Sequence, residues 1–445
     1  MPVALNGLVI YGTHDIATIE QLERCAAAEL GARGVLCADG HKGYSMPIGG
    51  VVGYRNFVSP SGVGYDISCG NLAVRTNLKS CDVSHIELER LADEIARRIS
   101  FGIGRVNNEP VDHPVLATIA SSPVKEQAKL FQIAQQQLGT VGSGNHYVDV
   151  LEDGDGFLWV AVHFGSRGFG HRTASMFMNL AQGLPMTDRA HEGEMDAPPL
   201  LLNDGTPSGQ DYIDAMRIAG EYAYAGREIV VQKVLEIMGA HATYEVHNHH
   251  NFTWREQHNG EWLWVVRKGA TPIFPGQRGF VGGSMGDMSV VIEGHDSPEA
   301  SAALYSAMHG AGRLMSRTKA AGKAKYIHRW RCQNYRKCDY TAAKGGYHKD
   351  ENGPTPTCPL CGHKLHLETM KQIMKPGVVD WTKVRTELAA RGIVLRGGGA
   401  DEAPEVYRPL AGVIAEHSNT LHVAVAMQPK IIVMAGDEVF DPYKD

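Results

Sequence analysis

Residues 158–168 read Leu158-Trp159-Val160-Ala161-Val162-His163-Phe164-Gly165-Ser166-Arg167-Gly168. A short apolar run closed by glycine predicts a buried strand, Phe157–Val162, with His163 delivered at its end to the rim of a site. The pattern recurs outward from there. Strands are expected at Thr243–Val246, which His247 follows, and at Trp262–Val266, Met288–Ile292, Leu421–Ala426 and Ile431–Val433. Helices are expected between them. Ser84 and Glu87 form a capping box ahead of Ile86, Leu91, Ile95 and Ile99, predicting a helix over 84–99. Others run over Val124–Leu138, over Asp211–Ile237, from Ser297-Pro298 onward, and over Asp380–Arg391, where Gly392 closes the last. Irregular interleaving of this kind predicts an α+β fold.

No internal repeat or long linker divides the first 325 residues. At about 328–370 Cys, His, Lys and Pro replace periodic apolar residues, and helical patterning resumes at Trp381. The chain therefore reads as one large domain, residues 1–327 and 371–445, interrupted by a small inserted module, 328–370. With 445 residues and 43% hydrophobic content it can bury a core without staples. No run of about 18 apolar residues is present, and the first basic residue is Arg24, so a basic signal-peptide n-region is missing. A cytoplasmic location is expected. The net charge of −6 argues by itself against nucleic acid.

Several residues are candidate metal ligands. Asp66 and Cys69 stand three apart in the glycine-bounded segment Gly62–Gly70, and His146 ends Gly142-Ser143-Gly144-Asn145-His146. With His163 and His247 they make three imidazoles, a carboxylate and a thiol, a set suited to Mn, Fe, Co or Zn better than to Mg. Within His247-Asn248-His249-His250 alternate side chains face opposite ways, so one ligand is expected from this tract, taken as His247. Glycine clusters carrying a hydroxyl or a cation are candidate phosphate cradles: Gly165–Gly168, Arg267-Lys268-Gly269, Gly282-Gly283-Ser284-Met285-Gly286 and His309-Gly310-Ala311-Gly312-Arg313. No Walker A or Gly-x-Gly-x-x-Gly segment is present.

Taken in order, Asp66–Gly70, Gly144-Asn145-His146, His163–Gly168, His247-Asn248, Arg267–Ala270, Gly283–Gly286 and His309–Arg313 resemble the RtcB family of RNA ligases. The likeness runs from about Asp39 to Arg317 and again from about Trp381 to Gly436. It implies a GTP- and Mn-dependent ligase that joins RNA 3′-phosphate or 2′,3′-cyclic phosphate ends to 5′-hydroxyl ends, in RNA repair or tRNA splicing. By the matching motifs, Cys69 would bridge two Mn ions, with Asp66 and His146 on one and His163 and His247 on the other. His309 would carry GMP as a covalent intermediate. The resemblance further implies that Asn145, Ser284, Gly286, Gly310 and Arg313 hold the nucleotide, that Tyr407 lies against guanine, and that Arg167 meets RNA phosphate.

Two departures stand out. The family commonly ends in Lys-Gly, where this chain has Met434-Ala435-Gly436, with Lys430 as the nearby substitute, and a family Glu is here Asp149. They motivate two rivals on the same scaffold, a metal-dependent phosphoesterase and a non-catalytic RNA-binding paralogue.

Cys332-x5-Cys338 and Cys358-x2-Cys361 read as a zinc ribbon with structural Zn on four thiolates, His348, His363 and His366 being the alternatives to a cysteine. From Arg313 to Lys337 there are nine Lys or Arg and no acid, interleaved with Tyr326, Trp330 and Tyr335. Lys319, Lys323, Lys325 and Trp330 are accordingly candidate contacts to single-stranded RNA. The tract contributes +9, which leaves −15 on the rest and removes the objection raised by net charge.

Overall fold

A computed structural model of the chain describes residues 2–5, 7–107, 109, 111–188, 194–334, 337–343, 356–437 and 439. Two large sheets with helices packed on them form the body, in keeping with the α+β expectation. The first sheet has six strands in the order Val3–Leu5, Leu8–Ile10, Arg33–His41, Ile48–Tyr54, Glu261–Lys268 and Asn251–His258. The second orders Ala242–His249, Gly70–Lys79, Phe157–Phe164, Tyr147–Asp153, Leu421–Gly436, Ser289–Gly294 and Arg278–Val281, and Val394–Gly398 pairs in parallel with Leu421–Gly436.

The strand Phe157–Phe164 lies inside the second sheet and is buried at every position after the first. Both faces are covered, which is why its sequence is apolar without alternation. It runs two residues past Val162, so His163 sits within the ladder, cross-strand from Asn71 and Tyr147. The helix Pro207–Met238 backs this strand, packing Val230 and Val234 among Val160, Val162 and Phe164. It starts four residues ahead of the expected Asp211, because Thr206 caps Gly209 N and Pro207 occupies the first turn.

The helix at 84–99 forms as Pro-free residues His85–Arg98 with both halves of the capping box in place. The expected helix Val124–Leu138 divides into Lys125–Ala128 and Phe131–Gln137. Buried Gln127 donates to Ala215 O at 2.8 Å, drawing that turn inward at the expense of a continuous helix. The two strands expected near the C-terminus are one, Leu421–Gly436, whose register shifts between Pro429 and Ile431. Proline is tolerated there because a bulge frees it from the ladder.

Ala242–His249 belongs to the second sheet and Asn251–His258 to the first. His250 alone joins them. Its N–H donates to Cys69 O at 2.9 Å and its carbonyl accepts from Ala270 N at 3.1 Å, so the corner is fixed from both sides.

The cysteine-rich segment forms a separate three-stranded sheet, Thr341–Ala343, Gly322–Cys332 and Leu365–Pro376. Its two long strands begin and end beyond the expected limits of 328 and 370. Tyr335, Arg336 and His348 lie outside the described residues.

Candidate active site and metal-ligand cluster

Cys69 is the centre of the cluster. Its Sγ lies 3.6 Å from both His146 Nε2 and His163 Nε2, and His146 Nε2 is 3.1 Å from Asp66 Oδ2. Two donor groups share this thiol, Asp66/Cys69/His146 and Cys69/His163/His250, each with its ligand atoms within 4.8 Å of one another. Backbone geometry makes the convergence: Ser68 adopts φ 59°, turning Cys69 back into the site. Gly165 is required beside it, since a Cβ there would stand 2.1 Å from Asp66 Oδ1.

The expected ligand His247 is not in this cluster; His250 takes the place. His247 and His249 point to one side of their strand, where His247 accepts a hydrogen bond from Arg227 Nε at 2.9 Å and packs tilted against Tyr224, ring centroids 3.8 Å apart. His250 turns the other way at the corner, its ring 5.2 Å from that of His163 and 4.8 Å from that of His309. Alternation along a strand correctly limits the tract to one ligand, but it does not reveal that the chain changes sheets at residue 250.

The donor set fits divalent metal. His163 Nδ1 pairs with Asn71 Oδ1 at 2.9 Å, which places the proton on Nδ1 and leaves the Nε2 lone pair facing Cys69. Burial, then the nearby charge of Asp66, pushes the Cys69 thiol well above its usual range, so a cation is needed to hold the thiolate. Burial and neighbouring charge, including that of His309, keep His163 and His250 neutral, the state in which imidazole ligates. Burial opposes ionisation of Asp66, but its hydrogen bond to His146 and the adjoining charges prevail and bring it down to about 2.

His309 stands beside this cluster, just after the strand Ser306–Met308. Its Nδ1 is 2.7 Å from Asp39 Oδ2, which also accepts from the backbone N–H groups of His309 and Gly310 at 3.0 and 3.2 Å. Asp39 is fully buried. Burial alone would raise its pKa; the charge and hydrogen bonds of His309 outweigh that and lower it. In the neutral form of the ring, a proton held on Nδ1 leaves Nε2 as the free nucleophilic nitrogen. Gly269, at φ 63°, lets the backbone approach, for a Cβ there would meet His309 Cε1 at 3.0 Å. Nothing but the carboxylate next to Gly40, at the end of an apolar run, marks Asp39 in the sequence.

Two cavities meet at His309 and share Ile48, Asn145 and His163. The first, about 220 Å³, is lined by Asn145, Asp149, Ser284, His309, Gly310, Arg313 and Tyr407. Gly286 does not line it; its carbonyl accepts from Arg391 Nη2, and it packs beneath Leu388 of the helix Trp381–Ala390. Arg313 donates to Tyr407 Oη at 2.9 Å and lies over its ring, while Tyr407 also bonds Glu402. Burial pushes the Asp149 carboxyl well above the usual carboxylate range. Met434 lines the same wall, and Lys430 is paired with Glu152 elsewhere, so it does not replace the absent lysine. The second cavity, about 440 Å³, exposes Asp66, Cys69, His146, His250 and Lys268. Arg167, at φ 54°, donates to Gly102 O at 2.9 Å and lines a third opening next to His146 and Asp66.

Other expected contacts are placed differently. Arg267 is fully buried and pairs with Glu256 through two bonds of 2.6 and 3.0 Å, so it braces the core and is not a phosphate cradle. Trp330 is only 3% exposed and packs with Cys332, Cys338, Cys358 and Leu365, which leaves no face for a base to stack on. Lys319, Lys323 and Lys325 are exposed. The basic tract is partly neutralised in place, Arg317 by Asp401 and Glu402, Arg329 and Arg331 by Glu368. The four module cysteines converge, with Sγ–Sγ distances of 3.3 Å for Cys332–Cys361 and 3.6 Å for Cys338–Cys358. Thiolates around one tetrahedral zinc stand about 3.8 Å apart, from Zn–S bonds of about 2.3 Å. His363 Nδ1 is tied to Cys361 O, and His366 lies beside Glu368.

One thiol shared between two donor triads, beside a histidine primed at Nε2, defines the class: an α+β protein with a candidate dinuclear metal site and a candidate histidine nucleophile. The family model described as tRNA-splicing ligase RtcB matches residues 21–126 and 116–351, and the chain belongs to that family. It is 30% identical over 321 residues to RNA-splicing ligase RtcB of Escherichia coli (strain K12), covering 63% of this chain and 74% of that one. It is 31% identical to tRNA-splicing ligase RtcB of Pyrobaculum aerophilum over 369 residues, 64% of this chain and 74% of the relative. The corresponding protein of Thermococcus kodakarensis is 31% identical over 367 residues, 64% and 73% of the two chains. Among the described residues no helix is long and apolar enough to cross a membrane.

Proposed function

We propose that the protein is an RNA ligase that joins 3′-phosphate or 2′,3′-cyclic phosphate ends to 5′-hydroxyl ends, using GTP, in RNA repair or tRNA splicing in the cytoplasm. The observation that carries this reading is the Asp39–His309 pair, which presents Nε2 where two cavities meet. The splicing-ligase names of the relatives support it.

In this reading His309 Nε2 attacks the α-phosphorus of GTP. An N–P bond forms, the α–β phosphoanhydride bond breaks, and pyrophosphate leaves. A 2′,3′-cyclic end is first opened by water, which breaks the P–O2′ bond and leaves a 3′-phosphate; an oxygen of that 3′-phosphate then takes the GMP group, breaking the N–P bond, and the 5′-hydroxyl displaces GMP to close the phosphodiester. Asp39 keeps the Nδ1 proton in place and offsets positive charge on the ring during the first transfer. Asn145, Ser284, Gly310 and Arg313 hold nucleotide phosphates, and Tyr407 flanks the base in the first cavity. Gly286 has no contact role. Arg167, Lys319, Lys323 and Lys325 meet the RNA backbone. Asp66, Cys69, His146, His163 and His250 would hold two Mn ions, which when bound would supply charge stabilisation at the reacting phosphoryl group. Cys332, Cys338, Cys358 and Cys361 would hold a structural Zn, the centre of a zinc-ribbon insertion at 328–370.

The test is incubation with Mn and α-labelled GTP. An acid-labile, alkali-stable label on the protein that is absent in His309→Ala is expected. No label with any divalent metal would sink the ligase reading, and cyclic-phosphate hydrolysis without labelling would instead favour a phosphoesterase, the reading prompted by Ala435 and the distant Lys430.

A further inference from the structure

Arg227 projects from the helix Pro207–Met238 into the core, where it is 0% exposed. It makes no ion pair with a carboxylate among the described residues. Burying a guanidinium without a counter-ion is costly unless hydrogen bonds replace the lost water. Nη1 donates to Ser68 O at 2.9 Å and to Phe164 O at 2.8 Å. Nε donates to His247 Nε2 at 2.9 Å, and Nη2 has no partner. Its carbon lies over the ring of Tyr224, 4.8 Å from the centroid.

Both carbonyls belong to peptides that adjoin members of the cluster. Ser68 precedes Cys69 and holds φ 59°, a left-handed conformation that is strained for a non-glycine residue. Phe164 follows His163. One nitrogen therefore ties together the two chain segments that bring thiol and imidazole to 3.6 Å. His247 completes the arrangement: as the acceptor for Nε it fixes the fork in the plane that lets Nη1 reach both carbonyls, and its own Nδ1 faces Glu228 at 3.7 Å. Burial, then the charge of Arg227, brings His247 down to about 2, keeping the acceptor nitrogen unprotonated.

We propose that Arg227 and His247 are positioning residues: a buried clamp that holds the Ser68 and Phe164 peptides so that Cys69 and His163 converge on one ion. This rests on reading Cys69, His163 and His250 as metal ligands. It also gives the histidine first expected to be a ligand a different role, one step removed from the metal.

The test measures Mn binding by the EPR signal of free Mn in the full chain, since the module's soft thiolates are poor ligands for Mn. In Arg227→Ala and Arg227→Lys, affinity for Mn is expected to fall by about tenfold to a hundredfold, with millimolar methylguanidinium restoring binding to the alanine variant. His247→Leu should weaken binding in the same direction, and His247→Gln, which keeps an acceptor, should recover most of it. Circular dichroism establishes that each variant is folded. Should Arg227→Ala not fold, Arg227→Lys and the His247 pair decide. Wild-type affinity in folded Arg227→Lys and His247→Leu would overturn the clamp. Failure of the wild-type protein to bind Mn would overturn the metal reading itself, a separate outcome.

Discussion

The carboxylate of Asp39 and the imidazole of His309 lie 2.7 Å apart across 270 positions of chain, and the same oxygen also receives the His309 and Gly310 backbone N–H groups. Three donors on one buried oxygen leave the ring no freedom to rotate. Asp39→Asn keeps the shape, and the two backbone N–H groups hold the amide oxygen toward the ring, but the negative charge that offsets positive charge on the imidazole is lost. Self-guanylylation should fall by about a hundredfold or more, with nucleotide affinity little changed. Labelling kinetics beside nucleotide titration checks this, and an unaltered labelling rate would remove the dyad from the mechanism.

His250 and His247 are separable by metal stoichiometry. His250→Ala removes a donor from the Cys69/His163 triad and should drop Mn content from two ions per chain to one, whereas His247→Leu should retain two sites at reduced affinity. Equilibrium dialysis with metal analysis reads both. Two tightly held ions in His250→Ala would return the corner histidine to a packing role.

The four converging thiols of the module predict one Zn per chain beyond the two proposed Mn sites. Cys332→Ser or Cys361→Ser should lose that Zn and leave self-guanylylation intact. RNA affinity should weaken in a salt-sensitive manner, because Lys319, Lys323 and Lys325 are among the exposed cations on and beside the module. RNA affinity equal to wild type at every ionic strength would separate the module from RNA.

Asp153 offers a pH test of stability remote from the site. Burial would raise its pKa, but bonds from Trp159 Nε1 at 2.8 Å, Phe157 N at 2.9 Å and Arg75 Nε at 3.0 Å lower it. A carboxylate depressed in the folded state adds stability that is present above its unfolded pKa, near 4, and is lost as pH falls through the lower folded value. Asp153→Asn should therefore cost about 1–3 kcal/mol at neutral pH and progressively less below about pH 4. Denaturant melts across that range check it; a pH-independent difference would contradict the assignment.

What the sequence discloses here depends on whether a feature is local. The capping box at Ser84 and Glu87, the apolar run Phe157–Val162 and the paired cysteines are each written within a few residues, and each is found where expected. Asp66, Cys69, His146 and His163 are likewise marked by glycines that make room for them. His250 is hidden by a change of sheet that leaves no turn signal. Asp39 and Arg227 are hidden because their partners are distant in the chain. Trp330 looks like a stacking ring in a basic tract; only the cysteines folding around it make it core.

The one-residue corner at His250 fixes length as well as direction. Its N–H and carbonyl are committed to Cys69 and Ala270, and Ser68 N donates to Asn251 O at 2.7 Å immediately beyond. An added residue between His249 and Asn251 would invert the facing of every side chain on one side of the insertion and move the imidazole out of reach of Cys69. Substitution can vary the chemistry of this segment, but insertion or deletion cannot pass through it without dissolving the junction between the sheets.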